Sequence, residues 1–146
     1  GAKTIKGIAI TGIAASHGVS AEGQSRGADT IFVIQVDGLR ICHLGDLGTM
    51  LSASQLKQIG RVDVLMIPVG GYYTIDAAKA WKVVGQLKPR IVLPMHYKTP
   101  ASKIDLLSGI GPFIKGQRNL VRQKGALTLT PQNLPKETTV YALPYE

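Results

Sequence analysis

The sequence predicts a single α/β domain, residues 1–146, in which at least some strands pair in parallel. The pair Asp37-Gly38 separates two runs rich in β-branched residues, which is typical of a β-hairpin. Further along, two apolar runs flank a segment whose apolar residues recur at helical spacing, which favours parallel strands joined by a helix. A chain of 146 residues is long enough for one hydrophobic core and too short for two.

Strand patterns dominate the first part of the chain. Residues 4–16 are rich in Ile and Ala with partial alternation and predict a strand, and the Gly- and Ser-rich residues 18–30 predict a loop. Residues 31–36 and 39–43 then form the two arms of the predicted hairpin. Its turn should be of type I′, which needs a positive φ at both central residues.

Helices and strands alternate after the hairpin. Ser52 or Ser54 should cap a short helix that ends at Gly60, and the apolar run 62–69 predicts a strand buried on both faces. Asp76 should cap a second helix, which Pro89 ends. The remaining expectations are a buried strand at 91–94, a partly helical segment at 101–115, and strands at 126–130 and 139–143.

Composition limits the classes of function. Lys and Arg outnumber Asp and Glu by 17 to 9, and the resulting charge of +8 suits anionic substrates. Contact with nucleic acid stays open but is not favoured, because an aromatic content of 5% is too low for a base-stacking surface. Cys42 is the single cysteine, so an internal disulfide is excluded and an inert core residue is expected. No apolar run is long enough to cross a membrane, and we expect a cytoplasmic protein.

Three polar residues directly follow predicted strands. His17 ends the first strand, Asp46 follows the second arm of the hairpin between two glycines, and His96 follows residues 91–94. Ligands bind to α/β sheets at the carboxyl ends of strands, and carboxylate and imidazole groups suit Zn, Mn or Fe. Each residue alone is more often structural, as a turn former or a hydrogen-bonded histidine. Their shared position favours a metal site, whereas His43 lies inside a strand and predicts a supporting role.

Four segments, in this order, resemble the metallo-β-lactamase superfamily: Arg26–Phe32, Asp37–Gly48, Val62–Gly71 and Pro94–Tyr97. Within it, the sequence is most similar to the branch of small zinc-dependent hydrolases that includes ascorbate-phosphate lactonase-like proteins. The resemblance implies half of an αββα sandwich, namely a mixed sheet with helices on one face. It also implies two metal ions at one edge of the complete enzyme, zinc or alternatively manganese or iron.

The resemblance further implies the role of each residue. His17 corresponds to a ligand of the first metal, Asp46 to the catalytic carboxylate that bridges both metals, and His96 to a ligand of the second. The turn expected to line the substrate pocket comprises Gly70, Gly71 and Thr74. A metal-activated water would attack a small anionic ester, lactone or phosphodiester.

One part of the superfamily pattern is absent. The sequence contains three histidines and no His-x-His-x-Asp-His cluster, so it resembles only the C-terminal half of the fold. We expect the chain alone to bind metal weakly and to be almost inactive. A second copy or a companion chain should supply the other half and cover an exposed apolar sheet face. Two alternatives stay open: a nuclease-type member that binds RNA or DNA, and a non-catalytic α/β interaction module.

Overall fold

An eight-stranded mixed sheet and three helices make up residues 1–144, the part of the chain that this computed structural model describes. The strands are β1 (Ala2–Ile5), β2 (Ile8–Ser16), β3 (Ala28–Val36), β4 (Leu39–His43), β5 (Val64–Pro68), β6 (Ile91–Met95), β7 (Leu120–Arg122) and β8 (Thr139–Ala142). The helices are α1 (Ala53–Ile59), α2 (Ala77–Leu87) and α3 (Gly111–Ile114). The strand order is β1-β2-β3-β4-β5-β6-β8-β7, antiparallel up to β4 and parallel beyond it. The predicted α/β class is confirmed.

The hairpin predicted at Asp37-Gly38 is confirmed. Both residues have positive φ, 49° and 77°, and Val36 pairs with Leu39 across the turn. A second hairpin has the same kind of turn at Lys6 and Gly7, where φ is 48° and 82°. The single strand expected over residues 4–16 is therefore two antiparallel strands, β1 and β2, because the chain reverses at this turn.

The two longer helices begin at predicted caps, α1 at Ser52, which is one of its two candidates, and α2 at Asp76. The Ser52 hydroxyl accepts a hydrogen bond from the Gln55 amide at 3.2 Å, and the Gln55 side chain accepts one from the Ser52 amide at 2.8 Å. The Asp76 carboxylate accepts from the Lys79 amide at 2.8 Å. These bonds satisfy amides that a helix leaves without partners in its first turn. No helix within residues 1–144 has the length and apolar character needed to span a bilayer.

The C-terminal region differs from expectation. The strand predicted at 126–130 is wrong, because the backbone there bonds to side chains instead of to a neighbouring strand. The Asn133 side chain accepts from the Thr130 amide at 2.8 Å and donates to the Thr128 carbonyl at 3.0 Å. The additional strand is β7, which pairs in parallel with β8. Of the predicted segment 101–115, only α3 is helical.

The helices cover one face of the sheet. Register places Val33, Cys42, Leu65, Val92 and Val140 in one row across five strands, and each is at most 2% exposed. These residues form one core cluster with side chains of all three helices, namely Ile59, Ala80, Val83, Val84, Leu87 and Phe113. Burial of this row removes apolar surface from water and so stabilises the sheet.

The opposite face is apolar but only partly covered. Phe32, His43, Met66 and Leu93 form a row across β3 to β6, and alternation directs them away from the helices. Phe32 is 43% exposed, and the other three are half-buried. A sheet with one open apolar face normally packs against a second layer. We call this surface the open face.

Asp63 joins strands β4, β5 and β6 at their amino ends, which lie at the edge of the sheet opposite their carboxyl ends. Its buried carboxylate accepts a hydrogen bond from the Arg40 amide at 2.9 Å and from the Arg61 guanidinium at 2.5 Å. Its own backbone carbonyl accepts from the amides of Arg90 and Ile91 at 3.1 and 2.9 Å. This one residue therefore fixes how β4, β5 and β6 begin relative to one another.

Asp63→Ala should lower the free energy of unfolding by about 2 to 3 kcal/mol, because the part-buried Arg40 amide would lose its acceptor. Urea denaturation of the two proteins measures this difference. Asp105→Ala is the matched control, because Asp105 is an exposed carboxylate whose hydrogen bond is to Lys98 on the surface. An Asp63→Ala midpoint no lower than that of the control would contradict the role given to Asp63.

Candidate metal centre at the carboxyl ends of the strands

Backbone hydrogen bonds join the loops that follow β4, β5 and β6. The Gly70 amide donates to the His96 carbonyl at 3.0 Å, and the Ile75 amide donates to the Leu47 carbonyl at 2.9 Å. The first bond joins the loop after β5 to the residue after β6, and the second joins the same loop to the one after β4. The three strand ends therefore present their loops as one continuous edge, as expected for parallel strands.

Two glycines permit close backbone contact at this edge. A Cβ atom on Gly70 would lie 2.2 Å from the His96 carbonyl oxygen, and one on Gly48 would lie 2.0 Å from the His17 carbonyl oxygen. Both distances are far below van der Waals contact, so neither position admits a side chain without displacing the neighbouring loop. His96 itself has a positive φ of 50°, which turns the chain sharply after β6.

Asp46 and His96 come together across β5. Asp46 Oδ1 lies 3.9 Å from His96 Nε2, and the two side chains are 55% and 26% exposed. Two donor atoms that each lie about 2.1 Å from one tetrahedral metal ion are about 3.4 Å apart, so a side-chain shift of about 0.5 Å would let both atoms bind one shared ion. His96 Nδ1 is buried and has no hydrogen-bond partner within the described residues. The carboxylate–imidazole pair therefore fits a divalent metal as part of a ligand set.

The backbone of His17 contacts the loop after β4, which carries Asp46. The His17 amide donates to the Gly27 carbonyl at 3.1 Å. The loop after β4 is held by a hydrogen bond from the Gly48 amide to the Ser16 carbonyl at 3.0 Å. The Nε2 atom of His17 is buried without a hydrogen-bond partner among residues 1–144. No three His, Cys, Asp or Glu side chains in that range are grouped closely enough to hold a metal. The three-ligand set of His17, Asp46 and His96 therefore stays a prediction.

The turn predicted to line the substrate pocket contacts the backbone of His96. Gly70 contacts the His96 backbone, and Gly71 has a φ of 68° that turns the chain back toward α2. The Thr74 hydroxyl is buried and donates to the Ile75 carbonyl at 3.3 Å. A part in substrate binding for Gly70, Gly71 and Thr74 stays a prediction.

A cavity of about 560 Å³ adjoins Asp46 on the open face. Its lining comprises Ala28, Asp29, Thr30, Phe32, Ile34, His43, Gly45, Asp46 and Met66. The Nδ1 atom of His43 accepts a hydrogen bond from the Gly45 amide at 3.0 Å, so the proton of the neutral ring is on Nε2. His43 thus holds the loop that carries Asp46, in agreement with its expected supporting role.

Asp29 is a residue of this site that the sequence analysis missed. Its Oδ1 atom accepts from the Asp46 amide at 3.1 Å, and its Oδ2 atom is buried with no partner in the described part of the chain. The register of the β3–β4 hairpin could have revealed it. Extending the pair Val36–Leu39 by equal steps along both arms places Asp29 opposite Asp46.

An arginine and two tyrosines join two loops near the site. The Arg26 guanidinium donates to the Tyr72 carbonyl and lies 5.4 Å from the centre of the Tyr72 ring and 5.3 Å from that of Tyr73. Arg26 belongs to the loop between β2 and β3, and both tyrosines belong to the loop after β5. Cation–π contact thus adds to the backbone bonds between loops. The basic residues are scattered along the sequence, so they gave no indication of this contact between Arg26 and the two tyrosines.

Cys42 is part of the core, as expected. Burial raises the pKa of its thiol to about 12, and the charge of Arg40 opposes this only weakly. The thiol is therefore protonated at physiological pH and is not a metal ligand or a nucleophile.

Gly70→Ala should displace His96, because the added Cβ would overlap the His96 carbonyl. We expect a loss of about 1 to 3 kcal/mol in the free energy of unfolding, measured in urea, and shifted NMR signals of the His96 imidazole.

Gly85→Ala is the matched control for this substitution. Gly85 lies in α2, and no neighbouring group lies within 4 Å of the position that its Cβ would take, so alanine should stabilise the helix by up to about 1 kcal/mol. Equal stability of the two variants would contradict the close contact between Gly70 and His96.

Comparison with known proteins identifies the family of this chain. The family model of the β-lactamase superfamily domain matches residues 1–96. The chain is 35% identical over 97 residues to a UPF0173 metal-dependent hydrolase of Archaeoglobus fulgidus, a match that covers 63% of this chain and 42% of that protein. It is 32% identical over 121 residues to a UPF0173 metal-dependent hydrolase of Thermoplasma volcanium, covering 78% and 54%. The chain thus spans about half the length of these relatives.

A solved structure extends the match over nearly the whole chain. A Thermotoga maritima protein, assigned to the zinc-dependent hydrolases of the metallo-β-lactamase superfamily, is 36% identical with a TM-score of 0.82. The match covers 98% of this chain and 68% of that one. Sequence and fold therefore agree, and the chain belongs to the metallo-β-lactamase superfamily.

Proposed function

We propose that this chain supplies part of the metal centre of a metal-dependent hydrolase. The approach of Asp46 Oδ1 to within 3.9 Å of His96 Nε2 is the observation that carries the proposal. The buried Nε2 atom of His17, which lacks a hydrogen-bond partner in the described residues, supports it, since a metal would satisfy that atom. Relatives named metal-dependent hydrolases add independent support.

Asp46 and His96 would hold one metal ion, and His17 would be the ligand that this chain gives to the other. A bound divalent cation supplies Lewis acidity and activates a water as nucleophile. Zinc is our preferred ion, because the Thermotoga relative is assigned to the zinc-dependent hydrolases, and two ions per complete site follow from the predicted bridging role of Asp46. Imidazole and carboxylate ligands suit manganese and iron as well.

The remaining ligands come, in this proposal, from outside the 146 residues. Catalytic zinc ions commonly have three protein ligands each, and no group of three occurs in residues 1–144. The open face supports a covering layer, because Phe32 is 43% exposed at one end of its mainly apolar row. That layer would belong to the same polypeptide, a companion chain or a second copy.

A small anionic ester, lactone or phosphodiester is the proposed substrate. The cavity of about 560 Å³ beside Asp46 has the size of a small-molecule site. The net charge of +8 would attract an anion toward it. Its lining is largely apolar and includes the carboxylates of Asp29 and Asp46, so the anionic end of a substrate would bind at the metal and its apolar part against Phe32 and Met66.

Asp46→Asn and His96→Gln should each weaken zinc binding at least tenfold. Loss of an outer partner of a metal ligand costs roughly 10- to 100-fold in affinity, and loss of a ligand should cost no less. Isothermal titration of the chain with zinc chloride measures the dissociation constants.

Asp105→Asn is the control for zinc binding, because it removes an exposed carboxylate whose hydrogen bond is to Lys98. Dissociation constants for Asp46→Asn and His96→Gln equal to that of this control would exclude the shared metal site.

The open face should cause association or bind a hydrophobic dye. Phe32→Ser should reduce both effects, whereas Leu106→Ser, which removes an apolar side chain that is 57% exposed outside the sheet, should leave them unchanged. Sedimentation and dye fluorescence are the measurements. A stable monomer that binds no dye would contradict the proposed covering layer.

A further inference from the structure

The carboxylate of Asp29 uses its two oxygens differently. Asp29 lies in β3, where it pairs with Ala15 of β2, and its side chain reaches the loop after β4. Oδ1 accepts the hydrogen bond from the Asp46 amide at 3.1 Å, while Oδ2 is buried with no partner within residues 1–144. A buried carboxylate oxygen without a partner is costly, so its retention calls for an explanation.

The loop after β4 has space for the Asp29 carboxylate because residue 45 is a glycine. A Cβ on Gly45 would lie 2.2 Å from Asp29 Oδ1, and Gly45 has a φ of 59° that favours glycine. The Gly45 amide itself is held by His43 Nδ1 at 3.0 Å. Two successive amides of the loop, those of Gly45 and Asp46, are thus bound by side chains and not by a neighbouring strand.

This arrangement fixes the backbone from which the Asp46 side chain extends. The Asp46 side chain is 55% exposed, and its contact with His96 is 3.9 Å, longer than a hydrogen bond. Its direction therefore depends on the backbone. A charge-assisted hydrogen bond from an amide to a carboxylate is stronger than one to a neutral acceptor, so Asp29 is well suited to hold it.

We propose that Asp29 is a positioning residue, which binds the Asp46 amide and so directs the Asp46 carboxylate toward His96 and the metal. The claim that Asp29 directs Asp46 toward the metal rests on the proposed function, whereas the claim that Asp29 holds the Asp46 backbone is independent of it. Asp29 is not assigned as a metal ligand.

Amide hydrogen exchange and zinc titration of the full chain test the proposal together. In Asp29→Ala, the Asp46 amide should exchange at least about tenfold faster, and the zinc dissociation constant should rise roughly 10- to 100-fold. The amide of Val33 in the core should keep its exchange rate, which separates local positioning from lost stability. Asp29→Asn keeps an oxygen acceptor and should restore slow exchange and most of the affinity.

Unchanged exchange at Asp46 in Asp29→Ala, or an Asn variant no better than Ala in both measurements, overturns the proposal. If the unsubstituted chain binds no zinc, the proposed function fails, and exchange at Asp46 still decides the role of Asp29. If Asp29→Ala does not fold, Asp29→Asn decides alone: slow Asp46 exchange supports the positioning role, and fast exchange in a folded Asn variant contradicts it.

Discussion

Close backbone contact between loops is the constraint on which the candidate site depends. Gly70 lies on the carbonyl of His96, and Gly48 lies on the carbonyl of His17, with no space for a side chain in either place. Strands β4, β5 and β6 alone would bring their ends to one edge, but these contacts and the hydrogen bond from Ile75 to Leu47 fix the loops against one another. Because the loops are joined by backbone atoms, the side chains of Asp46 and His96 are free to face the edge.

The two faces of the sheet differ in burial and in the chemistry of their side chains. The helix-covered face is buried along the row from Val33 to Val140, whereas the open face presents Phe32 and Met66 next to the carboxylates of Asp29 and Asp46. An apolar surface that also carries a buried, unpartnered oxygen is suited to a covering layer with hydrogen-bond donors or metal ligands. The covering layer would complete both the hydrophobic core and the metal site. Metal binding would therefore be coupled to the assembly of this layer with the chain.

Local sequence signals predicted the elements that local interactions determine. Asp37-Gly38 predicted the hairpin, and Ser52 and Asp76 predicted the helix starts, because each acts within a few residues. The strand expected at 126–130 was wrong, since Asn133 takes the backbone groups that a strand would use and no propensity scale registers such a bond.

The site was predictable only in part. Strand ends identified Asp46 and His96 as neighbours, and the hairpin register contained the position of Asp29. The position of the His17 side chain depends on long-range packing of the loop between β2 and β3, which no local pattern encodes. Likewise, the contact of Arg26 with Tyr72 joins distant segments and needed the structure.

Paramagnetic broadening by manganese tests the central claim most directly. In the amide NMR spectrum of the chain, substoichiometric Mn²⁺ should first broaden the signals of residues 45–47 and 96–97, together with that of His17. Such a pattern would locate a single ion between the ends of β4 and β6. Broadening that begins elsewhere, for example around the exposed Asp105, or that spreads evenly over the spectrum, would contradict a metal centre shared by Asp46 and His96.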